Sequence, residues 1–236
     1  MEELRRDLAL ACRILGATGL TTPLLGHVSV RVDDDHILVR CRGAHERGLL
    51  FTTTADIRLV SLSTSVVCDG YALPNEFPIH REILRARPDV DAVLHAHPRS
   101  ALLAGLADVP TRAVFGAFDI PAYRLAASGV PLHPDAGLVR TVEAGRALAA
   151  TMGDAAVCLL RGHGIVTAAG DVPTAVAHAI ALDELLTVSV ELARLGVAPP
   201  DVPATGLPDL GPSFNVDALW RHHVGLLELR GLAGVG

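Results

Sequence analysis

Aromatic residues make up only 3% of this 236-residue chain and charged residues only 19%. Lysine is absent, and the basic residues form no Lys/Arg run and no patch interleaved with aromatics. That combination argues against a nucleic-acid interface. No apolar run reaches the roughly 18 residues that crossing a bilayer as a helix requires. The four cysteines (Cys12, Cys41, Cys68 and Cys158) are scattered and form no Cys-x-x-Cys pair, so reduced thiols are the expectation. The start, Met1-Glu2-Glu3-Leu4-Arg5-Arg6-Asp7, is charged. It reads as the beginning of a helix rather than as a signal peptide. These features together predict a soluble, cytoplasmic protein.

What is abundant is small aliphatic bulk. Half of the residues are hydrophobic, mostly Ala, Val and Leu, and the net charge is a mild −6. That is ample material for a buried core. No internal linker and no repeat interrupts the chain, so a single domain over 1–236 is expected.

Periodicity gives a mixed reading. Residues 3–18 carry apolar side chains at helical spacing and end at Gly16 and Gly19. Gly26-His27-Val28-Ser29-Val30-Arg31-Val32 alternates as a half-buried strand does. Asp33-Asp34-Asp35 turns the chain, and 36–41 returns as a partner strand. Short strands are predicted at 49–51, 57–62, 90–94, 112–118, 155–160 and 164–168. Helices are predicted at 76–86, 99–105, 137–152, from Asp171-Val172-Pro173-Thr174 to about 195, and at 216–228. The Pro/Gly-rich stretch 198–212 reads as a loop and the tail 231–236 as mobile. The sum is a mostly antiparallel sheet with helices on its faces.

The chemistry concentrates in Leu94-His95-Ala96-His97-Pro98. Histidines at i and i+2 share one face of a strand, so both imidazoles can grip one ion. His163, in Arg161-Gly162-His163-Gly164, follows another apolar run. Taken singly, each is an ordinary core or surface histidine. Three at strand ends form a three-histidine site with an open position. Glu76 can fill that position, do proton chemistry beside it, or simply satisfy free N–H groups at a helix start.

Four anchors in order carry a resemblance: Gly26-His27-Val28-Ser29-Val30-Arg31; Glu76 with His80; Arg87-Pro88-Asp89-Val90-Asp91-Ala92-Val93-Leu94-His95-Ala96-His97; and Leu159-Leu160-Arg161-Gly162-His163-Gly164. Over nearly its whole length the chain resembles the class II aldolase/adducin superfamily. The resemblance implies an α/β fold, a three-layer α/β/α sandwich around a largely antiparallel sheet. It implies a divalent metal (Zn, Mn, Fe or Co) on His95, His97 and His163, with Glu76 as acid/base. It also implies a homotetramer with active sites between subunits, in which the region of His222 and His223 can cover a neighbour's site.

The departures from the sugar-phosphate aldolases narrow the function. Those enzymes have Asn where this chain has His27, and a Thr-Gly turn where it has Thr53-Thr54-Ala55-Asp56. They have Ser-Ser where it has Pro74-Asn75, and their protonating tyrosine falls where it has Val114-Phe115-Gly116-Ala117-Phe118; the nearest tyrosine is Tyr123. A phosphorylated sugar fits poorly. The pattern looks more like the branch that decarboxylates hydroxylated aromatic acids, such as dihydroxyphthalate and hydroxy-methylpyridine-dicarboxylate. The expectation is therefore a metal-dependent carboxy-lyase on a small anionic substrate. An aldolase or epimerase acting on a small sugar or hydroxy-keto acid is the alternative, and a non-catalytic adducin-like module is disfavoured by the intact histidine set. His27, Ser29, Arg31 and His80 are the candidate substrate contacts. Arg31 equally suits a structural salt bridge, and His80 suits a packing or supporting role better than ligation. Arg99 could bind a substrate carboxylate with its planar fork.

Overall fold

A computed structural model describes residues 1–22, 24–66, 70–113, 118–198, 211 and 213–236. Most of the strand expected at 112–118 and most of the loop expected at 198–212 lie outside the described residues, as does Cys68.

One seven-stranded sheet organises the chain. Its strands are β1 (His27–Arg31), β2 (His36–Arg40), β3 (Ile57–Ser61), β4 (Ala92–Ala96), β5 (Leu132–His133), β6 (Val157–Leu160) and β7 (Gly164–Ala169). Their order across the sheet is β3-β2-β1-β4-β7-β6-β5. Every neighbouring pair is antiparallel except β5 and β6. The two-residue period of a strand then sorts the side chains. Val28, Val30, Ala92, Leu94 and Ile165 enter one core, and Val93, Val166 and Ala168 enter the other.

Helices cover both faces. On the first lie α1 (Glu2–Thr18), α3 (Arg99–Leu106), α4 (Ile120–Ser128), α6 (Val172–Arg194) and α7 (Val216–Leu229). On the second lie α2 (Phe77–Ala86) and α5 (Val142–Met152). The result is a three-layer α/β/α arrangement, as expected. Helix starts follow their caps. The Asp171 carboxylate accepts from the Thr174 N–H at the head of α6, and Thr141 accepts from Ala144 at the head of α5. That Thr141 cap is why α5 begins at Val142 rather than at 137.

Three expectations need correction. Leu49–Phe51 is a 3-10 turn and not a strand: Leu49 is buried while Phe51 is exposed, and the turn packs on Gly16 of α1. The tail 231–236 is anchored rather than loose. Val235 is buried and its carbonyl accepts from the Thr54 N–H at 2.7 Å, while the Arg13 guanidinium donates to the Leu232 carbonyl. Helix α4 and strand β5 escaped the periodicity. In α4 the signal was Asp119, which caps Ala122, with Pro121 in the first turn. Strand β5 has only two residues, too few for a pattern. Among the described residues, no helix is long and apolar enough to cross a membrane.

Candidate metal centre

Three short pieces of backbone bring the candidate ligands together. His95 is on β4, and His97 lies just past its end, where its N–H donates to the Leu20 carbonyl. His163 sits in the three-residue turn joining β6 to β7, whose paired ends are Leu160 and Gly164. Gly162 turns the chain there with φ +60°, a conformation glycine adopts without penalty. A Cβ on Gly164 would lie 2.2 Å from the Ala96 carbonyl oxygen. Only glycine lets β7 start this close to the His95–His97 segment.

Glu76 completes the group from the α2–α5 layer, at the N-terminal boundary of α2. Its Oε1 accepts from the Val139 N–H at 2.9 Å. Its Oε2 lies 3.3 Å from His95 Nε2 and 3.4 Å from His163 Nε2. Ligand atoms of Glu76, His95, His97 and His163 all fall within 4.8 Å of one another. The three imidazole centroids are 4.5–5.0 Å apart.

This donor set fits a divalent metal. His95 Nδ1 faces the Ile165 carbonyl at 2.9 Å. A carbonyl only accepts, so Nδ1 carries the proton and Nε2 is left with its lone pair. His95 Nε2 and both ring nitrogens of His163 are buried without a hydrogen-bond partner. Buried polar atoms left in that state need an explanation, and a bound cation supplies one. Burial, and then the neighbouring His95 and His163 rings, pushes His97 down to about 3, which keeps it neutral. Burial works to raise the Glu76 carboxyl. A positive centre between it and the facing His163 and His95 nitrogens, a proton on those nitrogens or the metal in its place, outweighs that and holds it well below the usual carboxylate range. Neutral imidazole nitrogens beside an ionised carboxylate suit Zn, Mn, Fe or Co.

The candidate substrate contacts separate into two groups. His27 pairs with His95 across β1 and β4, and their ring centroids are 5.0 Å apart. Ser29 and His80 lie behind it and are wholly buried. Their polar atoms face each other at 2.7 Å, and the other His80 nitrogen lies 2.6 Å from His27 Nδ1. A direct substrate contact by Ser29 or His80 is therefore corrected: neither has a surface to offer. His80 also lies outside the ligand cluster. Arg31 is corrected as well. Four residues beyond His27 on an extended strand puts it about 13 Å away along β1. There its guanidinium donates to the carbonyls of Leu84, Arg87 and Val90 and to Asp91. It ties the end of α2 to the entry of β4.

Other histidines fall elsewhere. His222 and His223 lie on α7, which packs on α1 and α6 in the opposite layer. Arg99 is exposed at the first residue of α3. The sequence did not reveal the Val139 N–H that holds Glu76 or the Ile165 carbonyl that orients His95. Both are backbone groups and leave no side-chain signature. The His80–Ser29 contact did have a signal, since His80 is four residues on from Glu76 and Ser29 two on from His27.

Fold and cluster together define a class: this chain belongs to the class II aldolase and adducin family. Residues 6–190 match that family's N-terminal domain. Relatives sharpen the match. The chain is 47% identical over 228 residues to a 3,4-dihydroxyphthalate decarboxylase of Arthrobacter keyseri, covering 93% of this chain and 92% of that protein. It is 45% identical over 227 residues to a protein of the same name from Terrabacter sp. (strain DBF63), covering 93% and 95%. Among solved structures, an L-fuculose 1-phosphate aldolase from Glaciozyma antarctica PI12 superposes with a TM-score of 0.80 at 21% identity, covering 97% and 91%. That likeness speaks to the fold.

Proposed function

We propose that this chain is a metal-dependent carboxy-lyase that removes one carboxyl group, as CO2, from a hydroxylated aromatic dicarboxylate. The substrate is 3,4-dihydroxyphthalate and the product protocatechuate. The observation that carries the reading is the convergence of His95, His97, His163 and Glu76 in a chain whose near full-length relatives bear that decarboxylase name.

In this reading His95, His97 and His163 hold the metal. When bound, the metal supplies a Lewis acid that takes up the electron density released as the C–C bond breaks. The chain contains no lysine, so a Schiff base cannot serve instead. Glu76 moves the proton. Held ionised before substrate arrives, it takes a proton from a ring hydroxyl. It returns that proton to the ring carbon bearing the departing carboxylate. Loss of CO2 leaves the bonding electrons in the ring and restores aromaticity. The carboxylate lost is the one ortho to the 3-hydroxyl that Glu76 deprotonates: that oxygen's charge reaches the carbon bearing it, whereas the other carboxylate is meta to it.

The alternative, a sugar-phosphate aldolase, is less well supported. In the stretch that corresponds to the aldolase phosphate turn, the Thr53 N–H already donates to the Asp56 carboxylate and the Thr54 N–H to Val235. Tyr123 is buried in α4 on the far face of the sheet. Cytoplasmic residence, one catalytic domain over 1–236 and a homotetramer with sites near its interfaces complete the proposal. A substrate panel tests it. Metal-loaded protein should release CO2 from 3,4-dihydroxyphthalate and leave fuculose 1-phosphate intact; the reverse result would favour the aldolase reading.

A further inference from the structure

Behind the metal centre runs a closed chain of polar groups with no route to solvent at its inner end. Ser29 and His80 are fully buried and His27 is 4% exposed. Ser29 Oγ lies 2.7 Å from His80 Nδ1, and His80 Nε2 lies 2.6 Å from His27 Nδ1. We propose that the Ser29–His80 pair fixes the tautomer of His27, so that His27 presents Nε2–H as a neutral donor to the departing carboxylate of the substrate. The assignment of that carboxylate rests on the decarboxylase reading above; the tautomer does not.

Three neutral groups can share their protons in two ways. In the first, the Ser29 hydroxyl donates to His80 Nδ1 and His80 Nε2–H donates to His27 Nδ1. The remaining His27 proton is then on Nε2. In the second, every bond reverses. His27 Nδ1–H donates to His80 Nε2, His80 Nδ1–H donates to Ser29 Oγ, and His27 Nε2 is bare. The reversal leaves the Ser29 hydroxyl proton with no acceptor among the described residues, in a fully buried site. Proteins rarely leave a buried donor in that state. The first arrangement satisfies every group. Ser29 and His80 are fully buried and His27 nearly so, and burial without a counter-charge disfavours a charged ring in the chain.

A second observation, one of distance rather than of protonation, leaves His27 free for this role. His27 lies beside His95, with ring centroids 5.0 Å apart, yet stands outside the ligand cluster. An imidazole nitrogen that carries a proton has no lone pair for a metal. Its N–H suits an oxygen anion instead. His27 and Glu76 both flank His95, which is the ground for assigning to His27 the carboxylate on the carbon that Glu76 protonates. A neutral donor suits this place chemically. A carboxylate leaves as uncharged CO2, and a fixed cation would stabilise the ground state more than the transition state. Ser29 and His80 act only through His27 and are positioning residues.

Two measurements on the zinc-loaded full chain test this. The first is 15N NMR of histidine-labelled protein. It should show His27 protonated at Nε2 and not at Nδ1, and Ser29→Ala should make the tautomer mixed. Protonation of His27 at Nδ1 in the unaltered protein would overturn the proposal whatever the substrate. The second is binding in the Glu76→Gln background, where turnover does not intervene. 2,3-Dihydroxybenzoate carries a carboxylate ortho to a hydroxyl, as the departing group is. 3,4-Dihydroxybenzoate lacks that group and serves as the control. His27→Phe should weaken 2,3-dihydroxybenzoate by roughly 10–100-fold, the loss of one hydrogen bond to a charged acceptor. It should leave 3,4-dihydroxybenzoate within about twofold, and Ser29→Ala should show the same selectivity to a smaller degree. Equal weakening of both ligands, or of neither, would refute the carboxylate assignment. Failure of the unaltered protein to release CO2 from 3,4-dihydroxyphthalate would instead refute the reading beneath it.

Discussion

Gly164→Ala tests whether the close approach of β7 to the His95–His97 segment builds the metal centre. Its added Cβ would lie 2.2 Å from the Ala96 carbonyl oxygen and 3.4 Å from the His97 Cα. Both are backbone, so no side chain can swing aside. Ordinary contact requires the Ala96 carbonyl to retreat by about 1 Å. Ala96 pairs with Ile165 in the ladder and joins His95 to His97, so the retreat drags the ligands with it. Metal sites tolerate ligand displacements of only about 0.2 Å. Metal affinity should therefore fall by roughly 10–100-fold, the range seen when ligand-orienting contacts are lost. Overpacking should cost about 1–3 kcal/mol, or roughly 2–12 °C of Tm for a chain of this length. Competition against a chromogenic chelator measures the first and thermal unfolding of metal-free protein the second. Gly225→Ala is the control: nothing lies within 4 Å of its added Cβ on α7, and that variant should match or slightly exceed the parent. Parental metal affinity and parental Tm in Gly164→Ala would show that the close approach of β7 does not shape the cluster.

Changing His95, His97 or His163 to Ala should lower metal content in atomic-absorption analysis. Glu76→Gln should retain metal but slow turnover roughly 100-fold or more; near-parental turnover would move the proton chemistry elsewhere. Arg31→Met should destabilise the fold by roughly 2–3 kcal/mol, since three carbonyls lose a charged donor, while kcat/KM per folded molecule stays unchanged; a selective rise in KM would return Arg31 to substrate binding. Burial pushes the thiols of Cys12, Cys41 and Cys158 up to about 12. A folded-state value above the unfolded one means stability is intact below about pH 9 and declines as pH rises toward 12. Native protein at pH 8 should accordingly expose none of these three to a thiol reagent, and denatured protein should expose all of them; rapid labelling of any of the three in native protein would contradict it.

The cluster of candidate ligands was legible because strand geometry is regular. Two residues apart along the β4 direction means one face, and a histidine among glycines after an apolar run marks a hairpin end. The sheet was legible for the same reason, since Val28 and Val30 alternate with His27, Ser29 and Arg31. What stayed hidden depends on contacts between distant segments. Arg31 sits in the same alternating run as His27, and nothing local shows that its neighbours are the carbonyls of Leu84, Arg87 and Val90. His80 and Ser29 looked like substrate contacts because they lie next to Glu76 and His27 in sequence; burial behind the site turns them into supports. The tail looked mobile from its glycines, but Val235 and Leu232 dock on Thr54 and Arg13, far away in sequence. The turn at Leu49–Phe51 was misread because three apolar residues carry no period.

Metal-dependent decarboxylation at the cluster of Glu76, His95, His97 and His163 is tested most directly by removing and restoring the metal. Chelator-treated protein, and the same protein reloaded with Zn, Mn, Fe or Co, should be given 3,4-dihydroxyphthalate labelled with 13C in the carboxyl group ortho to the hydroxyl. Labelled CO2 and unlabelled protocatechuate should form in equal amounts, with activity lost on chelation and restored by at least one of the metals. Equal rates with and without metal, or retention of the label in the aromatic product, would contradict it.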